Sequence, residues 1–147
     1  GVTEPGSQSS HPLMSTDFLP TFVKAAGGKP TGAGPIDGVD LMPLLKGEES
    51  LEREALYWHY PHYSNQGGFP GGAVRVGDWK LIERFEYGKA HLYDLAKDIG
   101  ERNDVADKHP DRVNAMRKKL HAWYKEVDAK FLQAKKPDGP QPWRPAK

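Results

Sequence analysis

A periodic stripe of apolar residues near the C-terminus constrains the fold of this chain most strongly. Pro110 and Asp111 are residue types that suit the first turn of a helix. Over the next stretch of about 20 residues, apolar side chains recur at steps of three or four. They are Val113, Met116, Leu120, Trp123, Val127 and Phe131. The spacing predicts one long amphipathic helix, and its apolar face must be buried against another apolar surface.

A two-residue connection predicts that surface. Residues 73–76 and 79–82 are β-prone runs on either side of Gly77 and Asp78, the pattern of a hairpin. Pairing across the turn sets Val76 opposite Trp79 and Val74 opposite Leu81, which makes an apolar face that the helix can cover.

The other face of the same hairpin carries a like-charge pair. Arg75 lies opposite Lys80 in this register, so we expect water, a carboxylate or an anion between them. Residues 55–60 and 90–95 add further strands, which gives three to four antiparallel strands in all. The predicted fold class is α+β, a small antiparallel sheet packed by one long C-terminal helix.

The N-terminal part of the chain reads differently. Residues 15–17 offer helix-start chemistry, residues 18–26 carry apolar side chains at helical spacing, and Gly27 is a natural stop. Residues 41–45 form an apolar plug of about one helical turn. This pattern predicts a helix-and-loop segment with little core of its own.

Composition excludes several functional classes. Hydrophobic residues make up 37% of the 147 residues, and 16 Gly and 13 Pro indicate long loops. The net charge is +1 with both signs interspersed, so we expect no nucleic-acid partner. No apolar run approaches the roughly 20 residues that span a bilayer, so we expect no membrane association. Cysteine is absent, which excludes disulfides, a thiolate metal site and a cysteine nucleophile.

Four segments, in the right order, resemble the late part of the sulfatase family. Residues 17–21 read Asp-Phe-Leu-Pro-Thr, and residues 37–47 read Asp-Gly-Val-Asp-Leu-Met-Pro-Leu-Leu-Lys-Gly. Residues 73–82 resemble the C-terminal hairpin of that family. Residues 91–106 contain His-Leu-Tyr-Asp-Leu and then Asp-Ile-Gly-Glu-Arg-Asn-Asp-Val-Ala, similar to the family's last signature. The resemblance covers roughly residues 1–131.

The resemblance implies a place within a larger enzyme of the arylsulfatase type, in the alkaline phosphatase superfamily. Residues 1–47 would be the end of the large α/β domain, residues 48–131 the C-terminal subdomain, and residues 132–147 an extended tail. The parent would hydrolyse sulfate esters, of aryl sulfates or, more specifically, of sulfated carbohydrate. It would use a formylglycine nucleophile and a divalent metal, usually calcium.

The motifs that would hold this chemistry are missing from the chain. The resemblance implies Cys/Ser-x-Pro-x-Arg for the nucleophile and an adjacent Asp-Asp pair for the metal, and neither occurs. Residues 10–14 read Ser-His-Pro-Leu-Met, with Met14 in place of the arginine. We therefore predict no catalytic residue, no metal ligand and no cofactor in this chain, and no activity of the chain alone.

One segment still predicts a binding role. Residues 58–68 interleave imidazoles, aromatic rings and amides before a glycine-rich loop, a composition suited to a polar sugar. His59 and His62 are the candidate substrate-binding residues. As a zinc pair they lack a third ligand nearby, and the alternative is that both serve packing and loop hydrogen bonds.

Two rival functions remain open at this stage. The chain could be a self-standing α+β module that binds carbohydrate or protein, or part of a phosphodiesterase or phosphonate hydrolase of the same superfamily. The opening residues 1–6 lack an initiator Met and predict the interior of a longer protein. The compartment stays open, with a periplasmic or extracellular parent as one expectation. Unpaired apolar surface on residues 13–45 predicts self-association.

Overall fold

The computed structural model describes residues 1–32, 34–48, 51, 53–138 and 141–145. The chain forms two compact units, Gly1–Arg53 and Glu54–Lys147. In the part of the chain described, no helix is both long and apolar enough to cross a membrane.

The first unit contains helix α1 (Phe18–Ala25), entered through a 3-10 turn at Ser15–Asp17, and the single-turn helix α2 (Met42–Leu45). Both elements match the predicted helix and apolar plug. The buried side chains of the 3-10 turn and of α1 are polar or small. Among them, Asp17 and Thr21 are 0% and 3% exposed. The apolar side chains face outward, and Phe18, Leu19 and Phe22 are all more than half exposed.

Asp17 organises the first unit. Its carboxylate accepts hydrogen bonds from the N–H groups of Met14 (2.8 Å) and Val39 (3.0 Å) and from the guanidinium of Arg53. The Thr21 hydroxyl accepts a bond from Leu41 N–H at 2.9 Å and donates to the Asp17 carbonyl. One helix end therefore anchors three separate loop segments, which supplies order that the small apolar core does not.

The second unit is a four-stranded antiparallel sheet in the order β1 (Leu56–Tyr60), β2 (Gly71–Val76), β3 (Trp79–Arg84) and β4 (Ala90–Asp94). This confirms the predicted α+β class. The register also agrees with the sequence, since Val74 pairs with Leu81 and Val76 with Trp79.

Arg75 and Lys80, the like-charge pair, each have a hydrogen-bond acceptor of their own. Lys80 Nζ lies 2.6 Å from a carboxylate oxygen of Glu101, and Arg75 Nε donates to the Gly77 carbonyl at 2.9 Å. The two cations therefore sit opposite each other without sharing a counter-ion.

Helix α3 (Pro110–Glu126) covers the apolar face of the sheet. Met116, Leu120 and Tyr124 are its buried residues, and they pack with Val74, Leu81, Phe85 and Leu92 of the second unit. Tyr124 approaches the sheet where Gly72 lies, and a methyl group at that glycine would overlap the tyrosine hydroxyl. The predicted stripe continued to Phe131, but the helix ends at Glu126 and Val127 is 42% exposed.

A fully buried carboxylate lies between sheet and helix. Glu83 is 0% exposed, and its oxygens accept bonds from Arg117 Nε at 2.9 Å and His121 Nε2 at 2.9 Å. Burial, with the Glu83 charge as the second cause, raises the pKa of the Tyr124 hydroxyl. The sequence does not predict the burial of Glu83, because an acidic residue on the helix side interrupts the alternation of apolar and polar residues along β3.

Candidate functional site

The segment singled out from the sequence begins on strand β1 and continues into a loop. Because side chains alternate along a strand, His59 points to the helix side of the sheet, whereas Trp58 and Tyr60 point to the other side. His62 and Tyr63 follow the end of the strand and are exposed. The structure therefore divides the two candidate histidines between different surroundings.

His59 is part of an aromatic cluster. Its ring centroid lies 5.3 Å from that of Phe85, 5.4 Å from Tyr124 and 5.2 Å from Phe131. Its Nε2 lies 2.6 Å from the Lys130 carbonyl, which can only accept, so Nε2–H is the donor. Among the described residues, no group bonds its buried Nδ1.

His62 contributes to an exposed aromatic surface, which we define as Trp58, Tyr60, His62 and Tyr63. The exposed fractions of the first, second and fourth are 38%, 52% and 65%. His62 meets Tyr60 edge to face with ring centroids 5.4 Å apart. The ring contacts of His59 and His62 have no residue in common.

The turn between β3 and β4 holds this surface in place. Tyr63 donates a hydrogen bond of 3.1 Å to the Glu86 carboxylate, and that bond raises the pKa of the tyrosine. Arg84 stacks over the ring of Phe69 at 3.6 Å, and Phe85 N–H donates to the Pro70 carbonyl at 2.9 Å. Sequence reasoning missed these supports, because no local spacing links residues 84–86 to residues 63–70.

The side chains of the aromatic surface are suited to binding through stacking and hydrogen bonds. Exposed rings can stack on the apolar face of a sugar, and an imidazole and a phenol can bond hydroxyl or sulfate oxygens. Within the described residues there is no group of three or more His, Cys, Asp or Glu side chains that could hold a metal ion.

Comparison with known proteins gives a family for the chain. The family described as N-sulphoglucosamine sulphohydrolase, C-terminal, matches residues 1–130. Human arylsulfatase A is 34% identical over 82% of this chain and 28% of its own length. An N-acetylglucosamine-6-O-sulfatase from Bacteroides thetaiotaomicron is 32% identical over 70% of this chain and 19% of its own length.

A solved structure superposes on the chain with a TM-score of 0.74 and 26% identity. It covers 86% of this chain and 27% of its own, and it was determined in complex with its substrate D-glucosamine-2-N,6-O-disulfate. The chain thus spans 19–28% of the length of these three relatives. The order of the four motifs, the sheet with its covering helix and these matches show that the chain belongs to the N-sulphoglucosamine sulphohydrolase C-terminal family, the C-terminal region of a sulfatase of the alkaline phosphatase superfamily.

Proposed function

We propose that the chain is the C-terminal part of an enzyme that hydrolyses sulfate esters of sulfated carbohydrate. The family match over residues 1–130 carries this proposal. Two relatives support the substrate class, one named for N-acetylglucosamine 6-sulfate esters and one solved with a disulfated glucosamine.

Calcium and formylglycine belong, in this proposal, to the rest of the enzyme. The residues present do not fit either group. The described part of the chain lacks a metal-binding cluster, and the sequence lacks both the Cys/Ser-x-Pro-x-Arg motif and an Asp-Asp pair. No step of the hydrolysis is assigned to this chain. Its role is to contact the part of the substrate that does not react.

His59 and His62 take different parts in that contact. His62 is exposed beside Tyr60, so its imidazole can bond a hydroxyl or sulfate oxygen of the sugar. His59 has its Nε2 bonded to the Lys130 carbonyl, so it acts as a positioning residue that holds the end of β1. The aromatic surface then supplies the faces against which the sugar ring stacks.

The test uses the full-length enzyme with two substrates, a sulfated oligosaccharide and a small aryl sulfate. We expect His62→Ala to lower kcat/KM on the oligosaccharide by about 10-fold, the loss of one good hydrogen bond. Tyr63→Ala should have a similar effect through lost stacking. The aryl sulfate, which is too small to reach this surface, should be hydrolysed at nearly the wild-type rate.

Tyr87→Ala is the matched control, since Tyr87 is 56% exposed but lies outside the aromatic surface. His59→Phe keeps a ring in the cluster and removes the bond to Lys130, so it should raise KM for the oligosaccharide and leave kcat unchanged. Equal losses on both substrates would place these residues in the chemistry or the fold. Unchanged kinetics on both would overturn the binding role.

A further inference from the structure

The C-terminal tail and the end of α3 enclose a cavity in the second unit. It has a volume of about 420 Å³, within the roughly 300–1,000 Å³ typical of small-molecule sites. Its walls come from the end of α3 and the residues just beyond it, together with Arg144 and Pro145 of the tail. Phe131 and the tail lie outside residues 1–130, the part that the family matches.

Trp143 fixes the tail in place. Its indole stacks on Phe85 with centroids 6.0 Å apart and planes at 14°, and it also meets the His121 ring at 6.0 Å. Gly88 makes room for it, because a methyl group there would overlap the indole nitrogen. The next residue, Arg144, donates to the Leu132 carbonyl at 2.7 Å.

Two cationic side chains of the cavity wall, Lys125 and Arg144, can contact a ligand. Lys125 is exposed and makes no ion pair among the residues that the structure describes. The Arg144 guanidinium lies 5.9 Å from the Phe131 ring, and a backbone carbonyl is its hydrogen-bond partner. His121 is committed to Glu83, so its ring serves as wall. The Asp128 carboxylate forms an exposed ion pair with Lys130.

Carbonyl groups without a hydrogen-bond donor at a helix C-terminus repel an anion, and at the end of α3 this repulsion is reduced. The Trp123 carbonyl accepts a bond from Val127 N–H at 3.0 Å. The Tyr124 carbonyl accepts one from Ala129 N–H at 2.9 Å, and the Lys125 carbonyl accepts one from Asp128 N–H at 3.3 Å. The aromatic walls Tyr124 and Phe131 can face a ring, and Lys125 and Arg144 can bond an oxyanion on it. Asp128 remains able to accept a hydroxyl bond.

From this geometry we propose that the cavity is a second, non-catalytic binding site for a sulfated sugar unit. The aromatic walls and the two cations suit any ring that carries an oxyanion. The choice of a sulfated sugar among such ligands rests on the proposed function. Such a site would bind a sulfated unit of a polysaccharide far from the bond that is hydrolysed. It would so raise the local concentration of the polysaccharide at the enzyme.

The experiment titrates the 147-residue chain with N-acetylglucosamine 6-sulfate and follows backbone amides by NMR. We expect saturable shifts at Ala129 and Phe131. Lys125→Gln and Arg144→Gln should each weaken binding about tenfold, the loss of one charge-assisted bond. Lys118→Gln is the matched control, since Lys118 is an exposed lysine of the same helix that does not line the cavity. Each variant's melting temperature establishes that the fold is intact.

Two further ligands separate the parts of the proposal. Inorganic sulfate and unsulfated N-acetylglucosamine should each bind much more weakly than the sulfated sugar. Equal binding of sulfate alone would reduce the cavity to an anion site, and equal binding of the unsulfated sugar would remove the role of the cations. Either result, or an absence of shifts at the cavity, overturns the proposal.

Activity of the full-length enzyme keeps this test apart from the proposed function. Arg144→Gln should leave the hydrolysis of a small aryl sulfate unchanged and raise KM for a sulfated oligosaccharide. Sugar binding to the cavity in an enzyme that releases no sulfate would contradict the proposed function alone. Sulfate release with no binding at the cavity would contradict this inference alone.

Discussion

At the scale of single residues, the buried carboxylate of Asp17 contributes more to the order of the first unit than large apolar side chains do. Asp17 is fully buried and paired with Arg53, whose side chain is 11% exposed. Burial by itself would raise the pKa of Asp17, but the Met14 N–H, the Arg53 guanidinium and the Val39 N–H outweigh it and keep the pKa below 3.8. The charged form is therefore the one that the fold selects.

Replacing Asp17 by Asn should destabilise the first unit by roughly 3–5 kcal/mol, because Arg53 would be left buried without its counter-charge. All Trp and Tyr residues lie in the second unit, so fluorescence does not report on this change. Hydrogen exchange of the Val39 amide, which bonds Asp17, does. Asp37→Asn, at an exposed carboxylate of the same unit, is the control, and equal protection in both variants would refute the role of Asp17.

The same residue predicts how the first unit responds to acid. Because the pKa of Asp17 is lower in the folded than in the unfolded chain, the carboxylate stabilises the fold above pH about 4. That stabilisation is lost as the pH falls through the folded-state pKa. The protection of the Val39 amide, measured relative to its intrinsic exchange rate at each pH, should therefore fall below about pH 4 in the wild type. The dependence should be shallower in Asp17→Asn, and identical profiles would show that other groups govern it.

At the scale of elements, the packing of α3 against the sheet buries most of the second unit's core. Leu120 is 0% exposed, whereas Trp123 is only partly buried and stacks on Tyr57 with centroids 4.9 Å apart. Leu120 in the middle of α3, and not Trp123 nearer its C-terminal end, therefore occupies the better-packed position.

Leu120→Ala should cost about 2–5 kcal/mol, the lost transfer energy plus the cavity that remains. Val127→Ala removes apolar atoms just beyond the same helix at a position 42% exposed, so it should change the free energy of unfolding by less than about 0.5 kcal/mol. Urea unfolding followed by tryptophan fluorescence measures both. Similar costs for the two variants would mean that the helix does not pack as described.

At the scale of the whole molecule, the sequence contains neither the Cys/Ser-x-Pro-x-Arg motif nor the Asp-Asp pair that the sulfatase family uses in catalysis. With calcium and an aryl sulfate, the purified chain should release no more product than buffer. A divalent metal and a preorganised nucleophile supply most of the rate in such hydrolyses. Metal-dependent turnover that Ser10→Ala abolishes would contradict this expectation and would make residues 10–14 a true nucleophile motif.

The exposed face of α1 predicts self-association. Phe18 and Phe22 stack with centroids 5.7 Å apart and are 51% and 66% exposed, and Leu19 beside them is 58% exposed. Sedimentation should show association that grows with concentration, and Phe22→Ser should weaken it. Lys29→Ser, at an exposed polar position of the same unit, should not. A chain that stays monomeric at high concentration and binds no hydrophobic dye would speak against this.

The sequence by itself determined the class of fold, the register of β2 and β3 and the family, because these depend on local periodicity, on a two-residue turn and on short motifs. The composition of residues 58–68 is local information too, and from it the sequence predicts a binding segment, which stays a prediction. Only the tertiary structure decided that His59 packs in an aromatic cluster while His62 is exposed, that Glu83 is buried against Arg117 and His121, and that Trp143 brings the tail back to the core. The contacts that decide these features join residues 34 to 71 positions apart, and no local pattern in the chain encodes contacts at such separations.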